Sequence, residues 1–246
     1  MYARTLAVSA LFAASVTLGA CSSDNVLGLG VVGGNNGNNG DTLNTARVRI
    51  ANATATSLDV ASSGVVYAGN GGIAFGMSSN CTPTNALTPD LSVRVAGTFA
   101  PVPGLATSYQ SGVNYTVIAY PGGLGTTQFA TVADVFTPVA GQSALRVFNA
   151  GAITTSYDVY VTNPGEPLAT ATPQFSAVTG GTFTNFGNAN AGAQRQIRIT
   201  RNGSTTVLLD LGSTALIAGQ SVTLVISPPL VGSTTLRAFF VTGCNV

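Results

Sequence analysis

The sequence predicts an all-β protein in which a signal peptide and a flexible linker precede two tandem β-sandwich domains. Three observations predict it. Past residue 44 nearly all regular segments are short runs with period-two alternation, rich in Val, Ile, Thr, Tyr and Phe, the pattern of half-buried strands. Turn signals such as Ser63-Gly64, Gly71-Gly72, Gly122-Gly123, Asn163-Pro164-Gly165 and Asn202-Gly203 punctuate those runs, and no stretch after residue 21 carries a helical stripe. The chain also repeats itself at domain length.

At the N-terminus one cation, Arg4, precedes an apolar stretch from Leu6 to Leu18 and then Gly19-Ala20-Cys21, the order of a secretory signal. The stretch is shorter than the roughly 20 apolar residues that span a bilayer. An ordinary leader peptidase requires small residues at the first and third positions before its cut, and a cut after Ala20 would put Leu18 at the third. Leu18-Gly19-Ala20-Cys21 instead resembles the lipobox of bacterial lipoprotein signals. That resemblance implies residues 1–20 as signal peptide, cleavage before Cys21 and diacylglyceryl attachment to its sulfur. Acyl chains contribute about 0.8 kcal/mol per buried methylene, so two or more anchor stably. Ser22 rather than Asp after the cysteine fits delivery to an outer membrane, so the expected location is a lipid-anchored position in the bacterial cell envelope.

Residues 21–44 read as the lipidated Cys21 and a Gly/Asn-rich linker around Gly33-Gly34-Asn35-Asn36-Gly37-Asn38-Asn39-Gly40. A Gly-rich coil of that length has an average reach of roughly 25 to 30 Å. With Asp41 as the one acid adjoining it and no iteration, the Gly33 to Gly40 run is a tether rather than a metal site.

Two copies follow, expected at 45–138 and 143–246. Thr45-Ala46-Arg47-Val48-Arg49-Ile50-Ala51-Asn52-Ala53 answers to Gln142-Ser143-Ala144-Leu145-Arg146-Val147-Phe148-Asn149-Ala150. Ser57-Leu58-Asp59-Val60 answers to Ser156-Tyr157-Asp158-Val159, and Val93-Arg94-Val95 to Ile197-Arg198-Ile199. Later, Gly112-Val113-Asn114-Tyr115-Thr116-Val117-Ile118 matches Gly219-Gln220-Ser221-Val222-Thr223-Leu224-Val225. Half a dozen or more strands in about 100 residues imply a sandwich, immunoglobulin-like or transthyretin-like. A membrane β-barrel is the rival, given a mean hydropathy of +0.38. A domain-sized repeat without aromatic girdles counts against it.

The opening strand Ala46 to Ala53, the strand Tyr157-Asp158-Val159-Tyr160-Val161 and the late strand Gly112 to Val117 together resemble the bacterial domain of unknown function family 4397. The resemblance covers roughly residues 45 to 241 and implies surface-anchored, often tandem, sandwich-like domains with no established activity or catalytic residues. The first copy departs from the pattern with Ala61-Ser62 after Asp59-Val60, and the second has Val222 where the tyrosine belongs.

Composition narrows function. Charged residues are 7% of the chain, against about 25% in ordinary soluble domains. All nine cations are Arg, with no His, Lys or Trp. Catalysis by His or by a Lys Schiff base, and His metal sites, are thereby excluded. A net charge of +1 with no basic patch disfavours nucleic acid. No cofactor, metal or catalytic residue is expected.

Alternation turns Val48, Ile50, Leu58, Val60, Val93 and Val95 inward and leaves Arg49, Asp59 and Arg94 outward, repeated as Arg146, Asp158 and Arg198. These six predict a surface ion-pair patch, structural or anion-binding. The other acids of the two copies, Asp90, Asp134, Glu166 and Asp210, have no spacing that pairs them as a glycosidase requires. Tyr67, Tyr109, Tyr120 and Tyr160 are available as sugar platforms, or else fill the core. With Cys21 lipidated, Cys81 and Cys244 are left as the natural disulfide of an exported protein, closing a loop of 163 residues. Chain entropy gives such a loop about 5 kcal/mol as an upper figure. The expected function is a non-catalytic structural or protein-binding module of the cell envelope. A carbohydrate-binding or adhesive protein is the alternative.

Overall fold

The computed structural model describes residues 44–137, 139–191, 194–230 and 232–244. The chain is all-β, with two single turns of 3-10 helix, Gly123–Gly125 and Leu168–Thr170, among the described residues. In the first repeat the strands are β1 (Thr45–Asn52), β2 (Leu58–Ser62), β3 (Val65–Val66), β4 (Thr82–Asn85), β5 (Leu91–Val95), β6 (Asn114–Pro121) and β7 (Thr127–Ala133). The second repeat has β8 (Gln142–Asn149), β9 (Ser156–Thr162), β10 (Phe175–Thr179), β11 (Gly187–Asn190), β12 (Gln194–Arg201), β13 (Val207–Ala215), β14 (Ser221–Ser227) and β15 (Arg237–Thr242).

These strands make four sheets. Each repeat has an outer sheet, β3-β2-β5 or β10-β9-β12-β13, and an inner sheet, β4-β1-β6-β7 or β11-β8-β14-β15. In both inner sheets the repeat's first strand pairs parallel with its late strand, β1 with β6 and β8 with β14, and the other pairings are antiparallel. The register superposes the repeats: Arg49 lies opposite Thr116, and Arg146 opposite Thr223. The second repeat adds β13 on the outer side of β12, where the first has the loop bridge Arg94 to Pro101.

Three cores stack through the layers. Val48, Ile50, Leu58, Val60, Val93 and Val117 fill the first sandwich, and Leu145, Val147, Val159, Ile197, Ile199 and Leu224 fill the second. A third core of Ala51, Ala53, Ile118, Phe148, Ala150, Val225 and Val241 lies between the inner sheets. Hence β1, β6, β8 and β14 are covered on both faces, with Ile50 turned into a sandwich and Ala51 into the seam. Together the described residues form one compact unit. Val95, expected inside, ends β5 opposite Leu58 and is exposed, because the sheet stops there.

Phe148 is the largest fully buried apolar side chain of the seam, packed edge-on to Tyr120 at 5.2 Å and against Phe183 at 4.4 Å. Replacing it by Ala is expected to cost about 3 to 5 kcal/mol. Chemical denaturation should then show a lower midpoint with both repeats still unfolding in one transition.

Candidate functional site

The six residues expected as a surface ion-pair patch divide into three twin pairs, each tying the fold internally. Asp59 does not bond Arg94 directly, although the two are cross-strand partners. Its oxygens accept the backbone N–H of Gly72 at 2.7 Å and Gly97 at 3.0 Å. Asp158 does the same with Ala177 and Gly203, both at 2.8 Å. An aspartate on the second or third residue of the strand thus clamps two turns in either repeat. The Gly72 and Gly97 N–H groups hold the Asp59 carboxyl below the usual range against the opposing effect of desolvation, and Arg94 contributes least.

Arg94 and Arg198 tie down the hairpin loops at the far end of the same sheets. Arg94 donates to the Gly64 carbonyl at 2.8 Å, and Arg198 to Thr162 Oγ1 at 2.7 Å and the Glu166 carbonyl at 2.6 Å. Both guanidinium groups are buried, and each leaves its Nε without a hydrogen-bond partner. The outward face of these strands is therefore covered by loops instead of solvent, which corrects the surface reading for Arg94, Asp158 and Arg198.

Arg49 and Arg146 point out of their own sandwiches, as alternation requires, but into the seam. Arg146 is 1% exposed and forms a salt bridge with Asp134. Its Nε donates to Thr223 Oγ1 at 2.8 Å and Nη1 to the Ala133 carbonyl at 3.0 Å. Phe186 and Phe183 stack on the guanidinium at 4.5 and 5.2 Å from their centroids. Burial pulls the Arg146 pKa below its ordinary value, and Asp134 pushes it back. Across the seam Arg49 reaches the twin strand end, bonding the Thr242 carbonyl, Thr242 Oγ1 at 2.7 Å and the Gly243 carbonyl at 3.3 Å.

Asp134 and Gly243 are counterparts: the Asp134 N–H donates to the Asn114 carbonyl, and the Gly243 N–H to that of Ser221. The first carries a carboxylate that accepts from Arg146, Thr116 Oγ1 and the Cys244 N–H. The second has no side chain; a Cβ there would stand 2.4 Å from Ser221 Oγ and 3.4 Å from Asp134 Oδ2. Beside it the disulfide Cys81–Cys244 joins the first repeat to the end of the second, with a Cα separation of 5.8 Å.

The matching place on the opposite flank of the seam, at Val135 and Phe186, has no bridge and opens as a cleft of about 460 Å³. Phe136, Phe186, Asn185, Asn188 and Arg146 line it. This cleft, floored by one buried guanidinium, is the candidate binding site. Asn52 and Asn149, fully buried twins that clamp the loops after β1 and β8, belong to the same framework. Their place in the repeated Asn-Ala motif was the available signal.

The remaining acids are held singly: Asp90 by Ser62, Ser63 and Thr84, Glu166 by the Asn163 N–H, and Asp210 by Gln196 and the Gly212 N–H. Among the described residues no group of three His, Cys, Asp or Glu could hold a metal ion, and no helix is long and apolar enough to cross a membrane. Of the candidate sugar platforms, Tyr109 and Tyr160 are buried and Tyr120 packs on Phe148, which removes all three as open stacking faces; Tyr67 is exposed. Burial, with Tyr115 alongside, pushes the Tyr109 phenol up to about 12. Cys21, the signal peptide and most of the linker lie outside the described residues. No family model matches the chain, and no curated protein matches it significantly.

Asp134→Asn strands the Arg146 charge in the seam and is expected to destabilise by about 3 to 5 kcal/mol, measured by chemical denaturation. A second expectation concerns acid. The Asp59 carboxyl is lowered by backbone N–H groups. That of Asp90 is lowered although burial raises it, because the Ser63, Ser62 and Thr84 hydroxyls outweigh burial. Both stabilise fully above the ordinary value of 3.8 and lose that contribution as pH falls below it. A plot of thermal midpoint against pH should drop below about pH 4, less steeply in the Asp59→Asn, Asp90→Asn double variant.

Proposed function

We propose that this chain is a lipid-anchored cell-envelope protein, held through Cys21, whose paired sandwiches act as a non-catalytic structural or protein-binding module. The observation that carries the structural part is that the twin charged positions are spent on internal ties. Asp59, Asp158, Arg94 and Arg198 secure loops, while Arg49 and Arg146 secure one repeat to the other. A chain with so few charges has committed them to holding a shape. The disulfide supports export, because such bonds persist in oxidising compartments.

Partner binding has two available routes: the cleft beside Arg146, and the unpaired edges of β7, β13 and β15. The family resemblance of β1, β6 and β9 belongs to the same proposal, as does an outer-membrane location. A glycan-binding role has Tyr67 as its exposed stacking face, and a glycan array comparing the native protein with Tyr67→Ala tests it.

The anchoring is tested by mass spectrometry of the protein from the membrane fraction. The expected N-terminal peptide begins at Cys21 and carries a diacylglyceryl group, and Cys21→Ala should move the protein to the soluble fraction. An unmodified Cys21 in membrane-associated protein overturns the proposal.

A further inference from the structure

The parallel pairing within each inner sheet, and the bond from Ser227 Oγ to the Ala53 carbonyl across the seam, bring the ends of β1, β6, β8 and β14 to one end of the molecule, the apex. Exposed apolar side chains collect there on separate loops. Met77, whose carbonyl accepts from the Asn52 N–H, sits beside the end of β1, and Phe99 follows β5. Leu124 tips the β6–β7 hairpin, Ile153 the β8–β9 loop, and Leu230 the β14–β15 loop. Phe99 is 90% exposed and Leu124 completely so.

Leu124 is the most telling. It sits between Gly123 and Gly125 with φ 57, a left-handed conformation that glycine or asparagine adopts at lower cost than leucine. A bulky apolar side chain is thus held into solvent, in strained backbone, where nothing in the fold requires it.

Charge is distributed to match. The apical segments 53–57, 74–78, 96–100, 121–127, 150–155, 180–182, 202–206, 228–230 and 232–236 contain no charged residue. The opposite end carries Asp90, Asp134, Glu166 and Arg195. Just below the apical loops stand Arg201, exposed at the end of β12, and Arg237, at the start of β15 with its guanidinium over Phe75. The acids at that level, Asp59 and Asp158, are each occupied by two backbone N–H groups. Between the loops opens a crevice of about 720 Å³, walled by Tyr120, Pro121, Ala150, Ala152, Ile153 and Pro228.

We propose that the apex is a lipid-binding surface, inserting Phe99, Leu124 and Ile153 into the interfacial layer of an anionic bilayer while Arg201 and Arg237 meet the phosphate headgroups. Apolar groups on separate tips, with cations one step behind them, fit a soft amphipathic medium. This surface is independent of acylation at Cys21.

The protein has no Trp, so one introduced at the apex reports alone. The mature chain carrying Cys21→Ser, so that no acyl group contributes, is prepared with Leu124→Trp, and separately with Leu87→Trp on an exposed loop at the opposite end. Each is mixed with phosphatidylcholine vesicles containing phosphatidylglycerol and brominated chains. The expected result is a blue shift and at least twofold quenching of the apical reporter, with Leu87→Trp unchanged. Quenching should fall several-fold with phosphatidylcholine alone and in the Arg201→Gln, Arg237→Gln background. Absent quenching at Leu124→Trp, or equal quenching at both positions, overturns the proposal. So does a concentration-dependent blue shift without quenching, which makes the apex a contact between copies of the chain.

Discussion

A buried carboxylate between two arginines of different repeats is the constraint around which the structure is arranged. Asp134 closes the first repeat, yet its salt-bridge partner Arg146 opens the second, and Arg49 feels its charge from the other flank. Burying an arginine without a partner costs several kcal/mol, so Arg146 tolerates the seam only with Asp134, the Thr223 hydroxyl and the Ala133 carbonyl in place. Sliding one inner sheet against the other by a residue would break the Asp134 and Ala133 contacts, which cross the seam, while the bond to Thr223 stays within the β8–β14 pair. The apolar contacts among Ala51, Phe148 and Val225 supply attraction but little register, and the polar cluster supplies register.

The same cluster explains why the repeats have diverged where they touch. A fully symmetric seam would place two carboxylates side by side, and like charges at that distance cannot both ionise without large cost. Gly243 in the position of Asp134 avoids this and leaves room for the surviving carboxylate. The two flanks then close differently. Cys81 and Cys244 bridge one, while Phe186 lies on the Arg146 guanidinium at the other and leaves a cleft. Of two equivalent places only one remains open to a ligand.

Much of this was legible in the residues themselves. Alternation located the strands and put Val48, Ile50, Leu58, Val60 and Val93 inside, and the cysteine count gave the bridge. What misled was the assumption that a side chain pointing away from its own sandwich meets water. Runs such as Val117-Ile118-Ala119 and Leu224-Val225-Ile226, apolar at successive positions, are the mark of strands covered on both faces, and they held the missing information. The partnership of Asp134 with Arg146 was not legible, because it joins strands whose adjacency follows from stacking of sheets and leaves no trace in local spacing. Asp59 and Asp158 were read as ion-pair members because the turns that approach them, at Gly72, Gly97, Ala177 and Gly203, come from distant segments.

Rigidity and exposure are divided between the ends of the molecule. The disulfide, the Asp134 cluster and the Arg49 bonds gather where β7 and β15 finish, so the base is fixed by covalent and ionic ties. At the apex the inner sheets meet through the Ser227 to Ala53 bond and apolar contacts, and the loops beyond are free of charge. A loop contributes to stability only what it buries, and Leu124 buries nothing, so its identity is under no demand from the fold. Clamps such as Asp59 and Asp158 fix the roots of these loops while leaving their tips in solvent. A frame that holds loop roots and spends its charges elsewhere can present apolar side chains at one end without risking the integrity of the seam.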